Sequence, residues 1–171
     1  YLQIIKYFKK YDLLKFLKEP IISKKININK IINPWSSKTY SPELSDLYML
    51  HIFIILNKRM TILEFGSGWS SLILAHALML NKKKYINHVK RIRKKNIFEL
   101  HILENEKKFL EITKKRNNKY LKSFNKISYH LSDCKMTTYN GQFCTEYNKL
   151  PLVNPDFIYL DGPDQFKIKG N

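Results

Sequence analysis

This 171-residue sequence predicts an α/β protein, in which helices alternate with the strands of a parallel sheet. Three observations point there. From residue 42 onward, short apolar runs alternate with longer stretches of helical period. Four of these runs close on a carboxylate, at Glu64, Glu104, Asp133 and Asp161. The first of them passes through Gly66-Ser67-Gly68 directly into Leu72-Ile73-Leu74-Ala75-His76-Ala77-Leu78, which is the pattern of strand, tight turn and helix.

Taken in order, Tyr1 to Glu19 places Leu2, Ile5, Phe8, Leu13, Leu14 and Leu17 among lysines at near-helical spacing, and Pro20 stops the run. One amphipathic helix is expected, followed by a connector over residues 21–40. Ser41-Pro42-Glu43 supplies an N-cap, a first-turn proline and an acid, so a helix should run from about Pro42 to Lys58. Residues 1–41 thus form an N-terminal helix and connector, and 42–171 the main domain. Met60 to Phe65 is the first strand, and the helix after it runs to about Asn81. A basic block follows, Lys82-Lys83-Lys84 and Lys90 to Lys95, read as a solvated insertion. Ile97 to Glu104 is the second strand, Asn105 to Tyr120 a helix, and Lys126 to Ser132 the third strand. Asn140-Gly141 between Met136-Thr137-Thr138 and Phe143-Cys144-Thr145 predicts a β-hairpin where a crossover helix would otherwise sit. Asp156 to Leu160 is the fourth strand, ending in Asp161-Gly162-Pro163-Asp164.

Composition narrows the function classes. At 44% hydrophobic residues the chain is globular, and no apolar run reaches the 18 residues of a membrane span. There is no export-signal pattern, and Cys134 and Cys144 are too few for a disulfide framework, so a cytoplasmic protein with reduced thiols is expected. No zinc signature is present, and no metal is assigned. The net charge of +17 invites nucleic acid as a partner, yet 27 of the 31 basic residues are Lys, and base and phosphate recognition favour the arginine fork. A basic nucleic-acid-binding module acting through residues 82–95 is therefore the second reading.

Parallel strands bring their C-terminal ends to one edge, so four successive terminal acids gather beside the glycine turn, where such sheets bind ligands. Acids crowded together in a basic protein suit a cationic or hydroxyl-rich ligand. Here the sequence, over about residues 42–164, resembles the class I S-adenosylmethionine-dependent methyltransferases. Leu63-Glu64-Phe65-Gly66-Ser67-Gly68 looks like that family's first motif, and Pro155 to Gly162 is similar to its fourth. The resemblance implies a Rossmann-like sheet of strand order 3-2-1-4 and S-adenosylmethionine as cofactor. By position it sets Glu64, Gly66, Ser67 and Gly68 against the methionine portion, Glu104 on the ribose hydroxyls, and Asp133 with the Cys134 amide at the adenine. It leaves Asp161, with Asp164 second, as the catalytic acids by the transferred methyl group. The methyl acceptor and the oligomeric state stay open, as does aminopropyl transfer on the same fold. Dinucleotide binding is disfavoured: Ser71 stands where Gly-x-Gly-x-x-Gly needs its third glycine. The family's sheet has seven strands and this chain supplies four, so a C-terminally incomplete fragment is expected.

Overall fold

The computed structural model describes residues 2–21 and 42–163, with only the backbone of 18–21. Ser41, Asp164 and all but the first residue of the connector fall outside it. The architecture is a four-stranded parallel sheet with helices packed against it, an α/β Rossmann-like fold. In chain order the elements are α1 (Leu2–Lys10), α2 (Leu14–Ile21), α3 (Leu44–Leu56), β1 (Thr61–Phe65), α4 (Trp69–Tyr85), β2 (Glu99–Glu104), α5 (Lys107–Tyr120), β3 (Ile127–Leu131), β4 (Cys134–Tyr139), β5 (Gln142–Tyr147) and β6 (Phe157–Leu160). The sheet order is β3-β2-β1-β6, so the fourth parallel strand lies beside the first, as the 3-2-1-4 order requires. β4 and β5 form a separate antiparallel hairpin in place of the crossover helix. Asn140 and Gly141 both have positive φ (51° and 77°), the mirror-image turn that matches strand twist.

Two local expectations are corrected. The N-terminal segment is two helices, not one: Asp12 takes a left-handed φ of 55°, the chain breaks there, and α2 runs through Pro20 to Ile21. The break lets Phe8, Leu13, Phe16 and Leu17 all enter the core, which a continuous helix would distribute around its circumference. The third helix begins at Leu44 with Glu43 in the cap position, so Pro42 precedes it rather than opening it.

Alternation along the strands sorts the sheet's two faces. Ile62, Glu64, Leu100, Ile102, Ile127, Tyr129, Phe157 and Tyr159 share one face, and its apolar members pack in a single core with α1 to α5. α4 lies in the middle of this layer, and Ser70 to Leu78 are buried in succession. That explains why its sequence shows no polar stripe: a helix covered on all sides has none to show. The other face buries Leu63 and Leu103, covers Phe65 with Tyr147 of the hairpin at 5.3 Å between ring centroids, and leaves Ile158 and Leu160 exposed. Among the described residues no helix is long and apolar enough to cross a membrane.

Candidate ligand site at the C-terminal edge of the sheet

The glycine turn after β1 is stitched to the tips of both neighbouring strands. The Gly66 amide donates to the Leu103 carbonyl at 2.8 Å, and the Asp161 amide donates to the Phe65 carbonyl at 2.8 Å. Gly66 has a φ of 94°, and a Cβ there would lie 2.7 Å from the Asp161 carbonyl oxygen. Only glycine fits, because the backbone beyond β6 occupies the space. Gly68 differs from Gly66. Its φ of −175° is ordinary extended backbone, and a Cβ would meet nothing nearer than Ser70 Oγ at 3.7 Å. The two glycines therefore predict different outcomes. Gly66→Ala should cost about 2 kcal/mol of stability in denaturant unfolding, while Gly68→Ala should unfold at the parent midpoint. Equal losses would show that the turn is not built as described.

Around this turn stand the carboxylates. Glu64 is fully buried on β1; its Oε1 accepts from Ser70 Oγ at 2.5 Å, and its Oε2 has no partner among the described residues. Burial pushes its carboxyl up to about 8, the Ser70 and Ser71 hydroxyls opposing the shift and the charges of Asp161 and Glu104 adding to it. Glu104 is 5% exposed at the end of β2. Its Oε2 accepts from Ser67 Oγ at 2.6 Å and its Oε1 from the amides of Asn105 and Glu106 at 2.9 and 3.0 Å. Burial raises this carboxyl too, and those same donors oppose the rise. Asp161 is exposed at the rim, yet partial burial and the charge of Asp46 hold its carboxyl above the usual range. Glu64, Glu104 and Asp161 thus form one electrostatically coupled group.

Asp133 and Cys134 sit further out. Asp133 ends at the same sheet edge but is exposed, and its carbonyl accepts from the Asn148 amide at 2.9 Å. That bond makes Cys134 and Tyr147 a non-hydrogen-bonded pair of the hairpin and leaves the Cys134 amide outside the ladder. The Cys134 thiol is raised by burial and by the charges of Glu104 and Asp133, which marks it as a poor nucleophile. Asp164 lies outside the described residues. Among those described, no group of three or more His, Cys, Asp and Glu converges as a metal site.

Several members of the site escaped the sequence reading. Tyr147 on β5 has a buried hydroxyl without a hydrogen bond among the described residues, and its phenol is raised by burial and by Cys134 and Glu104 nearby. Asn105 Oδ1, next to Glu104, is likewise buried and unpartnered among the described residues. Asp46, on the first turn of α3, brings a further charge toward Asp161. Tyr159 is pushed up to about 12 by burial and by Asp161, Glu64 and Asp46. The Ser70-Ser71 pair at the start of α4 was visible in sequence as two hydroxyls where a helix leaves a glycine turn. The other positions depend on hairpin register and helix placement. No protein-family model matches this chain, and no curated protein matches it.

Proposed function

We propose that this chain binds S-adenosylmethionine at the C-terminal edge of the sheet and transfers its methyl group to an acceptor held against Asp161. One observation carries the reading: a fully buried carboxyl, Glu64, has one oxygen bonded to Ser70 and the other, near the Ser71 hydroxyl, without a hydrogen bond among the described residues, beside a glycine turn and two more acids. Buried in this way, Glu64 keeps its proton up to about pH 8 in the free protein, and a cation placed beside it would favour the ionised form. The cofactor would bring a sulfonium and an ammonium, and its sulfur-bound methyl is the electrophile. Glu64 favours the positive charge. Glu104, fixed by Ser67 and two amides, keeps lone-pair capacity for ligand hydroxyls. Gly68, with space where its Cβ would be, allows close approach of the backbone. Asp133 and the Cys134 amide offer an acceptor and a donor at the far rim. Asp161, whose raised affinity for protons suits a base, orients the acceptor or takes its proton, with Asp164 as the second candidate. Methyl transfer is an in-line displacement governed by alignment, so a preorganised floor of strand tips is what the chemistry needs.

The dinucleotide alternative is weakened by one contact. Ser71 Oγ accepts from the Gly68 amide at 3.2 Å, so a donor that a pyrophosphate would use at this helix end is already engaged. Isothermal calorimetry with S-adenosylmethionine and its demethylated product tests the proposal. Saturable heat with both is expected, and Glu104→Ala should weaken binding by about tenfold or more while the fold persists by circular dichroism. Absence of heat at millimolar ligand with the folded parent protein would overturn it.

A further inference from the structure

The opposite edge of the sheet carries the reverse charge. From Phe65 to Phe98 the sequence contains no Asp or Glu, and the end of α4 with the connection to β2 holds Lys83, Lys84, Lys90, Arg91, Arg93 and Lys95, all exposed. Among the described residues, none of these six pairs with a carboxylate. The parallel topology sets them at the N-terminal edge of the sheet, with exposed Lys58 ahead of β1 and Lys122 ahead of β3. The two acids at that edge are engaged internally. Glu99 accepts from Lys126 at 2.8 Å and Asn96 at 2.7 Å, and Asp156 accepts from the Met60 and Thr61 amides and pairs with Lys94 at 3.3 Å. The connection is pinned from within by Val89 and Phe98, 7% and 1% exposed, so its cations face outward. Between them stand two exposed aliphatic side chains, Ile86 at 41% and Ile92 at 46%.

We infer that this edge docks on an anionic lipid surface, with the six cations over the headgroups and Ile86 and Ile92 in the interfacial layer. Cations interleaved with aliphatic side chains fit a bilayer interface, where basic residues are attracted to the headgroups and apolar ones enter below them. Base recognition would reward the arginine fork instead, and four of the six cations are Lys. The patch lies at the far edge of the sheet from Glu64, Glu104 and Asp161. The inference is independent of the methyl-transfer reading.

Vesicle co-sedimentation of the whole chain tests it, with phosphatidylcholine alone and with phosphatidylcholine mixed with phosphatidylserine. Binding should require phosphatidylserine and weaken with salt. The triple change Lys90→Gln, Arg91→Gln and Arg93→Gln, on exposed positions, should lower vesicle affinity by about a hundredfold, at about fivefold per cation. The pair Ile86→Ser and Ile92→Ser should lower it by about tenfold with charge unaltered. Circular dichroism establishes that each variant is folded. No sedimentation with phosphatidylserine at low salt would overturn the inference. Full vesicle affinity in the isoleucine variant, together with tight salt-sensitive binding to a DNA duplex, would overturn it in favour of nucleic acid.

Discussion

Replacing Glu64 by glutamine is expected to stabilise the protein by about 3.5 kcal/mol at pH 7 and to leave it nearly unchanged at pH 4.5. The sign follows from the direction of the shift. Burial raises the folded-state carboxyl from 4.5 to about 8, so between those values the folded chain holds a proton that the unfolded chain has released. Stability linked to Glu64 is fully present below pH 4.5 and is lost as pH rises toward 8. By pH 7 the interval is 2.5 units, at about 1.4 kcal/mol per unit. Glutamine has nearly the same shape and never ionises, so it escapes that loss. Urea unfolding of the two proteins at both pH values measures it; a Glu64→Gln change without effect at either pH would mean that Glu64 titrates as an ordinary exposed acid.

The same substitution separates a structural acid from a functional one. A purely structural Glu64 would be an odd choice at a position where an amide is more stable at neutral pH. If a cation completes the site, Glu64→Gln trades binding for stability, as residues at functional sites commonly do. Under the proposed function, ligand binding below pH 8 should also release up to one proton, because the bound cation favours ionised Glu64. Calorimetry in two buffers of different ionisation enthalpy reads that release directly.

Why the glycine turn and the acidic strand tips were legible in sequence, while Tyr147 and the helix break were not, comes down to range. Leu63 to Ser71 signals its turn through local rules: a strand that must stop, a glycine that allows positive φ, and a hydroxyl, that of Ser71, that caps the next helix. The Asn140-Gly141 hairpin is equally local. The parallel direction of the strands follows once helices alternate with them, whereas their order came from the resemblance. Asp133 shares the sheet edge with the other acids but faces solvent, because the hairpin begins at Cys134 and carries the chain away at once. Tyr147 reaches Phe65 only through pairing with Cys134 across the hairpin, a relation that no window of neighbouring residues contains. At Asp12, lysines and apolar residues continue in helical period on both sides, so periodicity could not reveal a break set by packing against other helices.

The second large effect lies in that helical layer, on His51 and His76. Tyr7 Oη and His51 Nδ1 share a hydrogen bond at 2.8 Å, and His51 Nε2 meets His76 Nδ1 at 3.0 Å. Neutral rings satisfy both contacts, each pairing one protonated atom with one bare acceptor. His51 is fully buried and His76 is 5% exposed against Phe16. Burial, and then the neighbouring His76, lower His51 from 6.5 to about 3; burial, and then Lys15, lower His76 from 6.5 to about 4. Both folded values lie below the unfolded one, so the linked stability is present above pH 6.5 and is lost as pH falls. At pH 5 the loss is set by the unfolded value: 1.5 units, or about 2 kcal/mol for each ring and about 4 for the two. Glu64 and the other raised acids change stability in the opposite sense over this range, so the measurement must be differential. The double variant His51→Phe, His76→Leu leaves those groups in place and removes the rings, at a cost that does not depend on pH. Between pH 7 and pH 5 the parent should therefore lose about 4 kcal/mol more than the double variant does. Because these rings join α1, α3 and α4, and α4 begins at the glycine turn, protonating them would loosen the layer on which the candidate site rests. Equal pH dependence in parent and variant would mean that the rings take up protons without disturbing that layer, and the buried relay would lose its structural meaning.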